Sequence, residues 1–224
     1  MKIKILYEDN HLIAVFKPAG ILVQPDISKK VCLMDEVKKY LKEKYNKKGK
    51  VFLGLLHRID RPVSGVVLFA KTSKGASRLS EQFRNNEIEK VYRAAVVGKI
   101  EKKQGVLIDY IIKDEEKKKA IISDKEKGKR AELYYKVISS NDKYSFLEIT
   151  IKTGRFHQIR VQLFSIGHPI VGDIKYGAPF SLPDKSIALC AASLSFKTAV
   201  SKEKKTISAP EKLKFIFEKV IVKY

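Results

Sequence analysis

Tryptophan is absent from this 224-residue chain, and cysteine and methionine occur twice each. Two cysteines, Cys32 and Cys190, cannot build a disulfide framework, and neither has a CxxC partner of the metal-binding kind. They read as two small buried hydrophobes. No apolar run approaches the ~18 residues needed to span a bilayer. The opening Met1-Lys2-Ile3-Lys4-Ile5-Leu6-Tyr7-Glu8-Asp9 meets acid too early for a signal peptide. No amphipathic basic helix or lipidation signal points to a membrane surface. A cytoplasmic chain with no membrane partner is expected.

Acid is also scarce. Twenty-five Asp and Glu stand against 46 Lys and Arg, a net charge of +21 at pH 7. Such a surplus predicts a polyanion partner held through phosphate contacts. Charge alone does not separate RNA from DNA. Arginine is scarcer still: positions 58, 61, 78, 84, 93, 130, 155 and 160 are all there are. Four of these eight fall within 58–61 and 155–160. Lysine serves wherever diffuse charge suffices, so these two segments are where the planar guanidinium fork is required.

What is present is a folded composition, 44% hydrophobic, in a length that can bury a real core. Ile3 to Tyr7 and Leu12 to Lys17 read as a strand pair around Glu8-Asp9-Asn10. Lys17-Pro18-Ala19-Gly20 is turn chemistry. The apolar spacing over 33–45 predicts a helix, followed by a basic loop at 46–50. Val51 to Leu56 and Val66 to Ala70 read as buried strands. A second helix is predicted over 73–86, with Ser73 as its cap and Ala76, Leu79, Ser80 and Phe83 on one face. Tyr92 to Gly98 returns as a strand. Residues 105–151 predict several antiparallel strands with charged turns at 113–119 and 123–129. Phe156 to Ile166 reads as a helix closed by Gly167. A loop over 172–186, strands near 188–197 and 205–208, and a helix opening at Pro210 complete the chain. The expected fold class is α+β: one domain over 1–224, with a central mixed, largely antiparallel sheet flanked by helices.

Two segments carry the chemistry. The first, His57-Arg58-Ile59-Asp60-Arg61-Pro62-Val63-Ser64-Gly65, packs a carboxylate, two guanidiniums and an imidazole between buried strands. Charges occupy such a junction when they are paired or reactive, which makes Asp60 the first candidate for a catalytic group. The second is Thr153-Gly154-Arg155-Phe156-His157-Gln158-Ile159-Arg160-Val161-Gln162. There His157 and Arg160, three apart, share a helical face. Its helix N-terminus beside Arg155 suits an anion, and the plainer alternative is a polar face that anchors the loop. No HxH, HxxxH or HExxH spacing supports a metal site, no GxGxxG or GxxxxGK[ST] supports a nucleotide, and no GxSxG elbow supports a serine nucleophile. Neither segment offers the second acid a glycosidase needs.

The first segment resembles the HRLDRxTSG motif of the RluA-type RNA pseudouridine synthases. Gly154-Arg155-Phe156-His157-Gln158-Ile159-Arg160-Val161 resembles that family's GRTHQIRVH segment. Gly167-His168-Pro169-Ile170-Val171-Gly172-Asp173 and Lys175-Tyr176-Gly177 continue in register. Lys90-Val91-Tyr92-Arg93-Ala94 is similar to the family's KxYxA element, and Lys17-Pro18-Ala19-Gly20 to its KPAG turn. The departures are Ile59 for Leu, Val63 for Thr, Phe156 for Thr or Ser, and Gln162 for His, and none removes a charge.

This resemblance implies a pseudouridine-synthase-like domain with an active-site cleft across the sheet, without the N-terminal S4-like domain of many relatives. It implies isomerisation of a uridine in structured ribosomal or transfer RNA, with no cofactor and no metal. The bond from ribose to the base nitrogen breaks, the base turns, and a bond to C5 forms. Asp60 is then the essential carboxylate, acting on the sugar either by attack or as a base. The target base must leave its stack. Arg58 helps displace it, Tyr92 stacks on it, and Arg160 pairs with Asp60. His57, Arg61, Arg155 and His157 fall to scaffold or RNA contact. The expected partner is RNA, and the expected state a monomer.

Overall fold

The computed structural model describes residues 3–27 and 31–211. The helix expected from Pro210 onward lies almost entirely outside them. The chain divides into two compact units, one formed by Met1–Ile88 with Ala191–Ala209 and the other centred on Glu89–Cys190.

The first unit holds β1 (Lys4–Glu8), β2 (Leu12–Lys17), α1 (Leu33–Lys44), β3 (Gly54–Leu55), β4 (Ser64–Ala70) and α2 (Ser73–Arg84). It also holds most of β10 (Leu189–Lys197) and all of β11 (Lys204–Ser208). The order is β1-β2-β4-β10, with β3 on β4 and β11 on β10. The pairs β1/β2, β2/β4, β3/β4 and β10/β11 are antiparallel. Every residue of β2 is buried, and so is all of β4 after Ser64. Both are apolar runs because both of their faces are covered. The hairpin between β1 and β2 closes on Asp9, whose carboxylate accepts from the His11 and Leu12 amides at 2.7 Å each.

Helix α1 buries Leu33, Val37 and Leu41, the stripe its sequence spacing predicts. It is tied to β1 through Glu8, which accepts from Tyr40, Lys44, Tyr45 and Lys71 at 2.7–3.0 Å. Burial alone would raise the Glu8 carboxyl, but those donors hold it down at about 2. Cys32 and Cys190 are both buried, and Cys32 caps α1, its thiol donating to Asp35.

Two expectations change here. The apolar run 51–56 yields only the two-residue β3, and Phe52 is half exposed. Helix α2 is capped by Thr72 rather than Ser73, the Thr72 hydroxyl accepting from the Gly75 amide at 3.1 Å. Its buried line is Gly75, Leu79 and Gln82, not Ala76, Ser80 and Phe83. Gly75 lies where a Cβ would come within 2.8 Å of the His11 carbonyl. Gln82 exchanges a reciprocal pair of hydrogen bonds with the Lys197 backbone at 2.8 and 2.9 Å. A polar residue is therefore buried because it satisfies the main chain of β10.

The second unit is a sheet in the order β5 (Glu89–Val97), β9 (Tyr144–Ile151), β8 (Lys129–Ser140), β6 (Gln104–Asp114) and β7 (Lys119–Ser123). All four pairings in it are antiparallel. Strand β8 alternates buried and open positions from Ala131 to Ile138, so one face is covered and one is open to water. Helix α3 (Gln158–Ser165) lies on the covered face, where Val161 joins Ile111, Ala120, Ala131 and Tyr176 in one core cluster. Among the described residues no helix is long and apolar enough to cross a membrane.

The first motif ends in a backbone constraint. Gly65 has φ +134°, and a Cβ there would sit 2.4 Å from the Ala191 carbonyl oxygen. Only glycine lets β4 approach β10 so closely. Gly65→Ala should destabilise the protein by about 3 kcal/mol, a fall in Tm of roughly 6–12 °C for a chain of this size. Thermal unfolding followed by circular dichroism checks this, and an unchanged Tm would show that the strands can separate at no cost.

Candidate active site

The first segment forms the loop from β3 into β4. Its centre is not an arginine but Lys17, the last residue of β2, with no exposed surface at all. The Lys17 ammonium donates to the carbonyls of Pro18, Ile21 and Arg61 at 3.0, 2.9 and 3.1 Å. Three donors meet three acceptors. A second link runs beside it: the Gly20 amide donates to the Arg61 carbonyl, and Arg61 Nε donates to the Gly20 carbonyl, both at 2.8 Å. The early turn and the Asp60 loop are thus one fastened piece. The Asp60 carbonyl accepts from Val63 at 3.1 Å, closing the tight turn that presents the half-buried Asp60.

Burial pushes the Lys17 ammonium down to about 7; the Asp60 carboxylate opposes that shift and Arg61 adds to it. Arg58 and Arg61 are exposed, with Arg61 spending its Nε on the loop. His57 is half-buried, stacked on Phe83 at 5.2 Å, and its Nε2 accepts from the Leu68 amide at 3.0 Å. That nitrogen therefore carries no proton, and the ring braces the loop against β4.

The second unit carries the remaining candidates. Tyr92, half-buried on β5, stands opposite Ile149 of β9. Lys90, two residues earlier, projects to the same face. Burial lowers its ammonium pKa. Sequence reasoning quoted Lys90 within the KxYxA element and gave it no role.

Helix α3 starts at Gln158, not at Phe156. His157 precedes it in the left-handed conformation, φ 50°, so it does not share a helical face with Arg160. It stacks on Phe156 at 3.8 Å, and its Nδ1 meets the Tyr176 hydroxyl at 2.9 Å. Burial, and then the Arg160 and Lys175 cations, push this imidazole down to about 3, so it is neutral at physiological pH. Gln158 uses both ends of its amide. Its oxygen accepts from Thr153 Oγ1 and the Arg155 amide, and its nitrogen donates to the Glu132 carbonyl. The exposed Arg155 donates to the Arg130 carbonyl at 2.9 Å. At Gln158 and Arg155 the loop-anchoring alternative describes what these side chains do.

Arg160 is buried and holds Asp173 in a bidentate pair, Nε to Oδ2 at 2.6 Å and a terminal nitrogen to Oδ1 at 2.8 Å. The Tyr176 ring lies 4.9 Å from the guanidinium carbon. Asp173, only 1% exposed, is the residue sequence reasoning missed. The signal was its place in Gly172-Asp173, quoted for resemblance but not weighed as a buried acid. Of the four departures from the family pattern, Ile59 and Val63 are packed in the core of the first unit. Gln162 is fully buried and donates to Asp109 at 2.6 Å, and Phe156 is exposed.

A sequence model described as RNA pseudouridylate synthase matches residues 11–165. The ribosomal large subunit pseudouridine synthase D of Borreliella burgdorferi is 34% identical over 96% of this chain and 67% of its own. The protein of the same name from Zymomonas mobilis is 33% identical over 98% of this chain and 73% of its own. The solved structure of human RNA pseudouridylate synthase domain containing 4 superposes with a TM-score of 0.78 at 25% identity, over 92% of this chain and 88% of that one. Human RNA pseudouridylate synthase domain containing 1 shares the fold, with a TM-score of 0.73 at 21% identity over 94% and 84%. The chain belongs to the RNA pseudouridylate synthase family. It is an RNA pseudouridine synthase with that family's α+β fold, as the two segments led one to expect.

Two outcomes follow from the buried cations. Because the folded state lowers the Lys17 pKa from 10.5 to about 7, the unfolded chain binds more protons between those values. Lys17 therefore makes stability rise with pH from about 7 to 10.5. Urea unfolding of wild type and Lys17→Met across that range should show a steeper rise in the wild type. Asp173→Asn should cost about 3 kcal/mol, because it breaks a buried two-pronged ion pair; an unmoved urea midpoint would mean that Arg160 is held by other groups.

Proposed function

We propose that this synthase converts uridines of large-subunit ribosomal RNA to pseudouridine, with Asp60 as its essential carboxylate. The single observation behind this role is the fastened turn: a carboxylate on a loop that Lys17 and Arg61 fasten through four main-chain carbonyls. Such a loop fixes the position of Asp60, and fixed position is what nucleophilic or general-base chemistry at a sugar demands. The substrate class is supported by the Borreliella and Zymomonas relatives, both named ribosomal large subunit pseudouridine synthases, and by the +21 charge.

In the proposed reaction the base-to-ribose bond at N1 breaks and the freed base turns. A new bond forms between the ribose carbon and C5. The C5 proton leaves and N1 gains a proton, so nothing is added or lost overall. Asp60 acts at the sugar, by attack or by removing a proton. Arg160 pairs with Asp60, Tyr92 stacks on the displaced uracil, and Arg58 fills the place the base vacates. His57, Arg61, Arg155 and His157 act as scaffold or RNA contacts. The bracing of His57 and Arg61 and the anchoring of Arg155 favour scaffold for those three. The domain works as a cytoplasmic monomer over 1–224, which sedimentation of the purified chain would check.

Pseudouridine mapping of total RNA from cells with the wild-type gene, a deletion, and an Asp60→Asn copy tests the proposal. Ribosomal sites lost in the deletion should stay lost with Asp60→Asn, while the purified variant still binds the RNA. Restoration by Asp60→Asn would retire Asp60 as the catalyst, and sites lost only from transfer RNA would move the substrate.

A further inference from the structure

The first unit carries a cluster of positive charge that the proposed chemistry does not use. A concavity of about 480 Å³ opens between α1 and the loop that follows it. Five of its seven lining residues are lysines: Lys38, Lys39 and Lys42 from the helix, and Lys48 and Lys50 from the loop. The sequence explains the convergence. Leu33, Val37 and Leu41 turn one face of α1 to the core, which leaves 38, 39 and 42 toward water. At the helix end the Lys47 amide donates to the Lys42 carbonyl, and Asn46 takes a positive φ of 47°. The loop therefore doubles back along the helix and brings Lys48 and Lys50 to the same hollow.

Three other lysines of this unit are neutralised by a carboxylate. Lys44 and Lys71 both pair with Glu8, and Lys197 pairs with Glu87. Among the described residues, none of the five in the hollow pairs with a carboxylate. Like charges within one screening length of about 8 Å repel. A polyanion relieves that repulsion and releases its own counterions on doing so. The residue type fits as well. This chain reserves arginine for forked contacts, and lysine is a point charge suited to phosphates read without geometry.

We propose that this concavity is a docking site for the sugar-phosphate backbone of RNA, gripping a segment of the substrate other than the target uridine. The inference rests on the reading of ribosomal RNA as substrate. Docking there is independent of sequence, sets affinity, and leaves the chemical step to other residues.

The test compares wild type, a variant with all five lysines changed to Gln, one with all five changed to Arg, and a control with Lys74, Lys125, Lys127, Lys143 and Lys202 changed to Gln. Binding to an in-vitro transcript of large-subunit ribosomal RNA is measured from 50 to 300 mM salt, roughly the range where phosphate contacts dominate. Pseudouridine formation is timed separately. The five-Gln variant should bind at least about tenfold more weakly at physiological salt, with its salt slope reduced by about 3. Its rate at saturating RNA should match the wild type, and the five-Arg variant should recover binding. Unchanged affinity and slope would overturn the proposal. So would an equal loss in the control, which would make net charge the cause. So would a loss of binding to phosphatidylglycerol vesicles without a loss of RNA binding, which would make the surface a membrane contact. Wild type that binds through the five lysines yet makes no pseudouridine in this RNA would leave the docking site standing and remove the substrate reading instead.

Discussion

The burial of the Lys17 ammonium is the constraint on which the first unit's chemistry turns. A cation with no exposed surface is expensive unless each of its protons finds an acceptor. Its acceptors among the described residues are carbonyls from the turn after β2 and from the loop before β4. Satisfying the lysine therefore dictates where both loops lie. Because Arg61 supplies one of those carbonyls, the neighbouring Asp60 is placed by the same requirement. The same carbonyls that satisfy the lysine therefore fix the backbone on which Asp60 stands.

The second unit solves the same problem by the opposite route. Arg160 is buried, but its guanidinium takes a true counterion, Asp173, in a two-pronged pair. A fork facing a carboxylate fixes direction as well as distance. The contrast explains why this chain spends its few arginines here and lysine at position 17. Three carbonyls arranged around a point suit an ammonium, and a planar acid suits a guanidinium.

Much of this was readable in advance, and the reasons differ by element. Strands β8 and β9 fell where alternation and charged turns put them, because each has one wet face that writes period two into the sequence. Helix α1 was equally plain, with a single buried stripe. What escaped was set by main-chain geometry or by distant partners. The apolar run at 51–56 promised a strand, but only two residues find a partner on β4. Gln82 is buried by bonds to a strand more than a hundred positions away, so periodicity misplaced the face of α2. His157 takes a left-handed turn that no spacing rule announces, and the helix it was assigned to starts one residue later. The family resemblance identified the reactive segments, but Asp173 went without a role because a lone acid beside a glycine looks like a surface turn until its burial is known.

The positive charge of the chain separates into two populations that obey different physics. Lys17 and Arg160 are buried, each satisfied by a fixed set of oxygens, and salt has little access to either. The five lysines of the hollow beside α1 face water, and among the described residues none pairs with a carboxylate, so their attraction for a polyanion is long-ranged and screened. A synthase acting on a large folded RNA needs both. Capture from a distance requires charge that is not already neutralised, whereas a reactive carboxylate requires neighbours that do not shift when that RNA arrives. Buried cations can supply the second only because they make no demand on the first. The net charge of the chain is therefore a property of its water-facing lysines, separate from the two hidden cations that fix the loops around them.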